Sequence, residues 1–281
     1  MAKHNVYKYD PSKAAAMAFA IIFSITSLIH LVQLARKRTW YFIPFLIGGI
    51  FETVGYGTRY YNATQTPDWA LSPYIIQFLL LLLAPSLFAA SIYMILGRIV
   101  RLLDGASRSL VRPSWMTKIF VTGDVLSFFL QCGGGGILAQ AKTPKTTNLG
   151  NDIIIVGLLV QLVFFGFFIV VSIVFHRRML ASPTNISQTV TVPWSRYMMI
   201  MYTVSGLIMV RSIYRVIEYV QGPDGGLQAH EAYLYVFDSS LMLLCCLIFN
   251  VSHPSQIIVG GGKNYRKMSS DLEMLSAPDR N

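Results

Sequence analysis

Val210-Arg211-Ser212-Ile213-Tyr214-Arg215-Val216-Ile217-Glu218-Tyr219 sets two arginines and a glutamate inside an apolar run that extends from about residue 195 to 220. A run of that length matches the roughly 20 residues a helix needs to cross a bilayer. A charge at bilayer depth costs at least about 2.5 kcal/mol on insertion scales, so such residues face a bundle interior and mark a pathway or a site. The same pattern recurs outward along the chain. Glu52 and Arg59 share the run 41–60, Asp124 lies in 116–139, and Asp238 lies in 231–252. With further runs at 14–35, 74–100 and 152–175 there are seven span-length segments. The fold class that follows is all-α, a polytopic membrane protein of seven transmembrane helices.

Composition agrees with this reading. Of 281 residues 54% are hydrophobic and only 13% charged, about half the charged share of an ordinary soluble domain. No long polar insert separates the runs, so residues 13–253 form one membrane domain. Residues 1–12 form a short outer segment. Residues 254–281, which include Gly260-Gly261-Gly262 and a mixed-charge run, lack apolar periodicity and are expected to form a disordered tail. The first run is followed by Arg36, Lys37 and Arg38 and lacks a small-residue cleavage region, so it reads as a retained span.

Cations set the orientation. Arg98, Arg101, Arg108, Arg112 and Lys118 crowd the loop between spans three and four, and Arg177, Arg178 and Arg196 the loop between five and six. Loops of that kind stay cytoplasmic, which puts the amino terminus outside and the carboxyl terminus inside, although Lys3, Lys8 and Lys13 weaken the asymmetry. The sequon Asn62-Ala63-Thr64 then falls outside and is the expected glycosylation site, whereas Asn185-Ile186-Ser187 falls inside and would go unused. The net charge of +10 suits inner loops facing an anionic leaflet. Its cations are too scattered to form a nucleic-acid patch. Cys132, Cys245 and Cys246 all lie within spans and imply no disulfide framework.

Helical spacing turns the polar residues into faces. Glu52, Gly55, Tyr56 and Arg59 share one side of span two; Arg211, Tyr214, Arg215 and Glu218 one side of span six. Asp124, Ser127 and Gln131 line span four, and Glu231, Tyr235, Asp238 and Met242 span seven. These stripes are expected to converge on a charged, tyrosine-lined cluster opening outward, with Glu52, Asp124 and Gln161 deeper and His30 toward the cytoplasm. The competing reading is that arginine–carboxylate pairs simply lock the helices together.

Other motifs carry less. Gly133 to Gly136 lacks the Lys-Ser/Thr of a phosphate loop and reads as close helix packing or local unwinding. Pro85 frees a mid-span carbonyl and kinks or hinges span three. His30, His176, His230 and His253 show no i, i+4 pairing, so no metal site is expected and a zinc hydrolase is disfavoured. A Ser-His-Asp site would need Ser127 or Ser205 beside a histidine. His30 and His253 could each hold a haem iron axially, against the plainer reading of histidines hydrogen-bonded at the cytoplasmic interface.

Phe51 to Arg59 (FETVGYGTR), Leu83 to Tyr93 (LAPSLFAASIY), Gly123-Asp124-Val125 through Gln131-Cys132-Gly133-Gly134-Gly135, and Val210 to Tyr219 together resemble the fungal RTA1-like family. His230 to Asp238 and His253-Pro254 extend the resemblance, which runs from about Tyr9 to His253. One departure is Cys132, at a place expected to hold a small residue.

The resemblance implies a seven-helix lipid-translocating exporter, associated with sphingoid long-chain-base release, resistance to amphipathic toxicants and, in one branch, porphyrin or haem uptake. Membrane lipids and an amphiphilic small molecule are the implied partners, and the plasma membrane, or an endomembrane, the location. An amine head group would seek Glu52, Asp124, Glu218 or Asp238; a carboxylate or phosphate would seek Arg59, Arg211 or Arg215. Tyr56, Gln131 and Tyr235 complete the candidate substrate contacts. No nucleotide motif is present, so the expected function is non-enzymatic and not ATP-driven. A seven-helix sensor of lipid or membrane stress would share this topology, and an intramembrane enzyme is the third class.

Overall fold

The computed structural model describes residues 9–255 apart from 67–68, 142, 191 and 223–224, and describes the backbone but not the side chains of 228–229. Most of the expected tail and most of the outer segment 1–12 lie outside the described residues. Among the described residues the regular structure is all helical, without strands.

Helix starts follow local signals. Ser12 caps α1 (Lys13–Lys37) by accepting from the Ala15 N–H at 3.3 Å. Pro44 and Pro113 occupy the first turns of α2 (Ile43–Thr64) and α4 (Pro113–Ala139), where a missing N–H costs nothing. Thr143 and Thr146 form a reciprocal cap at the start of α5 (Pro144–Ala181). The remaining long helices are α3 (Leu71–Leu102) and α7 (Trp194–Val220). Short helices α6 (Asn185–Thr189) and α8 (Gly226–Ala229) sit in loops. The last rod joins α9 (Glu231–Leu234) to α10 (Ser240–Val251) through a π-turn at Tyr235–Ser239.

Six of these rods are long and apolar enough to cross a membrane: α1, α3, α4, α5, α7 and Glu231–Val251. With its glycines and its buried Glu52, Arg59 and Asn62, α2 is not among them. The chain is a multi-pass membrane protein. Its outer belt fits lipid contact, with Ile21, Leu28, Phe129, Val163 and Val251 all exposed.

Packing follows chain order. Helix α1 lies on α2, α2 on α3, α3 on α4, α4 on α5 and α5 on α7, and the last rod closes the ring between α7 and α1. Helix α3 also meets α7 and is buried along most of its length. Because lipid tails are as apolar as leucine, this core is held by close packing rather than by exclusion from water. Aromatics supply much of it: Phe45 stacks on Phe42 at 4.6 Å and on Phe88 at 4.3 Å.

Candidate functional site

Three polar stripes converge, and each partner is set by its helix. At the rim, Arg59 on α2 pairs with Glu231 at 2.7 Å and donates to the hydroxyls of Tyr9 at 2.9 Å and Tyr235 at 3.2 Å. The backbone N–H of Ser12 also donates to Glu231, at 2.9 Å, tying the start of α1 to the start of the last rod. Deeper, Arg211 donates to Asp238, and Arg215 reaches the other Asp238 oxygen at 3.0 Å and Glu218 at 2.9 Å. Tyr56 bonds to Ser239. The π-turn therefore serves two helices, turning Asp238 toward α7 and the next residue, Ser239, toward α2.

Arg211 makes one further bond, from a terminal nitrogen to the Leu81 carbonyl at 2.7 Å. Leu81 lies four residues before Pro85, whose ring nitrogen carries no hydrogen to offer it. The carbonyl that the proline frees is thus satisfied from α7, and the charge cluster is fastened to the proline break in the α3 ladder.

Glu52 sits beside these groups without joining their ion pairs. It is 2% exposed, its Oε1 meets no donor, and its charged neighbours are Asp238, Arg211 and Arg215.

The fourth stripe goes elsewhere. On α4, Ser127 donates to the Gly157 carbonyl at 2.6 Å, and Gln131 donates to Ser127 and, at 3.2 Å, to Gln161 on α5, which reaches Ser86 on α3 at 3.3 Å. Gln131 and Gln161 therefore bind α4, α5 and α3 together rather than lining the charge cluster. Asp124 is 4% exposed, and the group its carboxylate faces is the Tyr93 hydroxyl, just outside ordinary hydrogen-bond geometry. Asp124 borders a cavity of about 80 Å³ between α3 and α4, lined by Leu83, Ser86, Leu87, Val121, Val125 and Phe128.

Several expectations are corrected here. Four stripes do not meet in one cluster; three do, and the α4 stripe faces α3 and α5. The outward opening is closed in this conformation, since Arg59, Arg211, Arg215 and Asp238 are buried and Glu231, 15% exposed, marks the edge. Asn62, the expected glycan acceptor, lies inside α2 and is 0% exposed. His30 bonds to the Cys246 carbonyl at 3.1 Å and His253 accepts from the Ser255 N–H at 3.3 Å, while Phe42 packs against both rings. Burial, with Lys37 nearby, pushes the His253 imidazole down to about 4 and keeps it neutral. Each ring retains one unbonded nitrogen. Among the described residues no cluster of three or more potential metal ligands occurs. Sequence reasoning missed Tyr93 at Asp124, Ser239 at Tyr56 and the Leu81 carbonyl at Arg211, because none of these partners shares a helix with the group it meets.

A family model described as RTA1 like protein matches residues 45–260. Protoporphyrin uptake protein 1 of Saccharomyces cerevisiae is 38% identical, over 88% of this chain and 91% of its own. Sphingoid long-chain base transporter RSB1 of the same species is 27% identical over 87% and 72%, and probable lipid transporter atnI of Emericella nidulans 28% over 94% and 71%. No solved structure matches the chain. With the family model covering most of its length and the polar stripes lying inside the matched region, the chain belongs to the RTA1-like family.

Proposed function

We propose that this chain is a translocator of amphiphiles that carry an amine head group, sphingoid long-chain bases being the representative class, and that it is neither an enzyme nor an ATP-driven pump. One observation carries the reading: Asp124 is a buried acid that no basic side chain neutralises among the described residues, facing only the Tyr93 hydroxyl, and it borders an apolar cavity between α3 and α4. An intramembrane acid that no basic group neutralises is by default a functional position, and an amine is the group that would neutralise it. A head group of one or two polar atoms fits about 80 Å³, and the hydrocarbon chain can lie outward along Val125, which is exposed on the lipid-facing side. Relatives named as a sphingoid long-chain base transporter and a probable lipid transporter support this class.

The relative named for protoporphyrin uptake favours a second reading. A porphyrin offers carboxylates, which would seek cations, but Arg59, Arg211 and Arg215 are all engaged by carboxylates here. The unengaged group is an acid, and that favours the amine. In the membrane, α2 serves as a seventh span despite its polar content, with the amino terminus outside and the carboxyl terminus in the cytoplasm, at the plasma membrane. Outward movement of such amphiphiles would confer resistance to toxic ones.

The test is reconstitution of the full chain in phosphatidylcholine vesicles and measurement of labelled long-chain base crossing the bilayer. Wild type moves the base, and Asp124→Asn abolishes movement while thermal stability in detergent is unchanged or higher, because the amide oxygen can still accept from the Tyr93 hydroxyl. Undiminished transport by Asp124→Asn, or movement of protoporphyrin but not of the base, sinks the proposal.

A further inference from the structure

The buried charges do not balance. Among the described residues, two arginines, Arg211 and Arg215, face three carboxylates, Asp238, Glu218 and Glu52, while the Arg59–Glu231 pair at the rim is matched in itself. Glu52 is the acid left out of the ion pairs, and its Oε1 is buried without a donor. An ionised carboxylate in such surroundings needs a cation or a proton, and both arginines beside Glu52 are already paired with other acids. The groups that face it are Arg211 and Arg215 from α7, Asp238, Cys245 and Cys246 from the last rod, and Tyr56 from its own helix; α1 and α3 add no charged partner.

We infer that Glu52 is a proton-carrying site, and that the proton it takes up and releases is exchanged for the amine amphiphile, making the chain a proton-coupled antiporter. The exchange rests on the translocator reading above; uptake of the proton by Glu52 does not. The chemistry is a single equilibrium in which the carboxylate takes one proton from the aqueous phase on one side and returns it to the other.

Arg211 supplies the coupling. Its guanidinium rests here on Asp238 and on the Leu81 carbonyl, the arrangement assigned to protonated Glu52. When Glu52 ionises, a second carboxylate competes for that guanidinium, and the carbonyl is the weaker of its present partners because it is uncharged. Releasing it frees α3 at Pro85, next to Leu83, Ser86 and Leu87, which line the Asp124 cavity. Proton loss at Glu52 thereby changes the wall of the cavity that holds the head group, and substrate at Asp124 changes the affinity of Glu52 for its proton in return.

The experiment has two arms on the full chain. In detergent without substrate, infrared difference spectra between acid and alkaline solution are recorded for wild type, Glu52→Gln, Glu52→Asp and Asp124→Asn. The expected carboxylic-acid carbonyl band is lost in Glu52→Gln, shifted in Glu52→Asp and kept in Asp124→Asn. In vesicles holding a trapped pH dye, inward movement of long-chain base drives protons outward, an imposed pH gradient accelerates uptake about tenfold or more, and Glu52→Gln loses both responses. A band unaltered in both Glu52 variants overturns the proton site, and base transport that ignores the pH gradient overturns the exchange. If wild type moves no base at all, the translocator reading fails, and the infrared arm alone decides on Glu52. Should Glu52→Gln not fold, the presence or absence of the shift in Glu52→Asp decides between a proton site and none.

Discussion

Asp238 is the acceptor on which Arg211 and Arg215 converge, so removing its charge leaves two buried cations short of a partner at once. Breaking a buried pair from one side costs about 3–5 kcal/mol. Asp238→Asn is therefore expected to lower the thermal midpoint of the detergent-solubilised chain by that equivalent. Glu218→Gln should cost less, because Arg215 keeps Asp238. Equal midpoints for Asp238→Asn and wild type, with transport lost, would show the network to be a working site rather than a lock. Much of this cluster was legible in the sequence. Arg211, Arg215 and Glu218 stand at i, i+4 and i+7 on one helix, and an acid in another apolar run was their natural partner. The role of Arg215 was not legible: the sequence allowed it to bind an anionic substrate, and the structure engages it twice with acids. Spacing reports which residues share a face but not which face the neighbouring helix presents.

Helices α4 and α5 show what the run Gly133–Gly136 does. A Cβ at Gly134 would lie 2.7 Å from the Gly150 carbonyl oxygen on α5, whereas at Gly133 or Gly136 it would meet nothing within 4 Å. Helix α4 stays regular through the run, so the alternative of local unwinding does not apply. Gly134→Ala pushes backbone against backbone and is expected to destabilise by about 1–3 kcal/mol. Gly133→Ala and Gly136→Ala should be neutral or stabilising by about 0.5–1 kcal/mol, since a helical glycine gains by becoming alanine. Thermal unfolding of the three single variants checks this; equal loss in all three would remove the close approach as the cause. Each of the seven apolar runs falls on a long helix, six of them apolar enough to cross a membrane, because run length and turn signals such as Pro113 and Pro144 are local properties. The π-turn at Tyr235–Ser239 left no such mark. It is set by the two helices that compete for Asp238 and Ser239, and a single helix's periodicity cannot record that contest.

At the scale of the whole molecule, the order of the ring and the sidedness of the charges bear on one another. Tyr9, Ser12, Arg59 and Glu231 meet at one end of the bundle. At the other, Tyr41 donates to the Pro254 carbonyl at 3.0 Å, Tyr197 to the His253 carbonyl at 3.3 Å, and Arg98 lies 4.0 Å over the Tyr41 ring. The loops rich in Arg and Lys, which join α1 to α2, α3 to α4 and α5 to α7, all belong to the second end. The fold thus gathers on one side cations that the sequence could only count loop by loop, and the proposed topology, which follows the positive-inside rule, puts that side in the cytoplasm. Glycosylation gives the check, with its sign changed by the burial of Asn62. Glycosidase treatment is expected to leave the mobility of wild type unaltered, because Asn62 is enclosed in α2 and Asn185, though exposed at the start of α6, lies at the end that the proposed topology makes cytoplasmic. A sequon engineered into the corner before Thr143, at the Glu231 end, should acquire a glycan and a glycosidase-sensitive shift. A shift in wild type that disappears in Asn185→Gln would place the α5–α7 loop outside and invert the bundle, and with it the direction in which a proton at Glu52 could be exchanged for substrate.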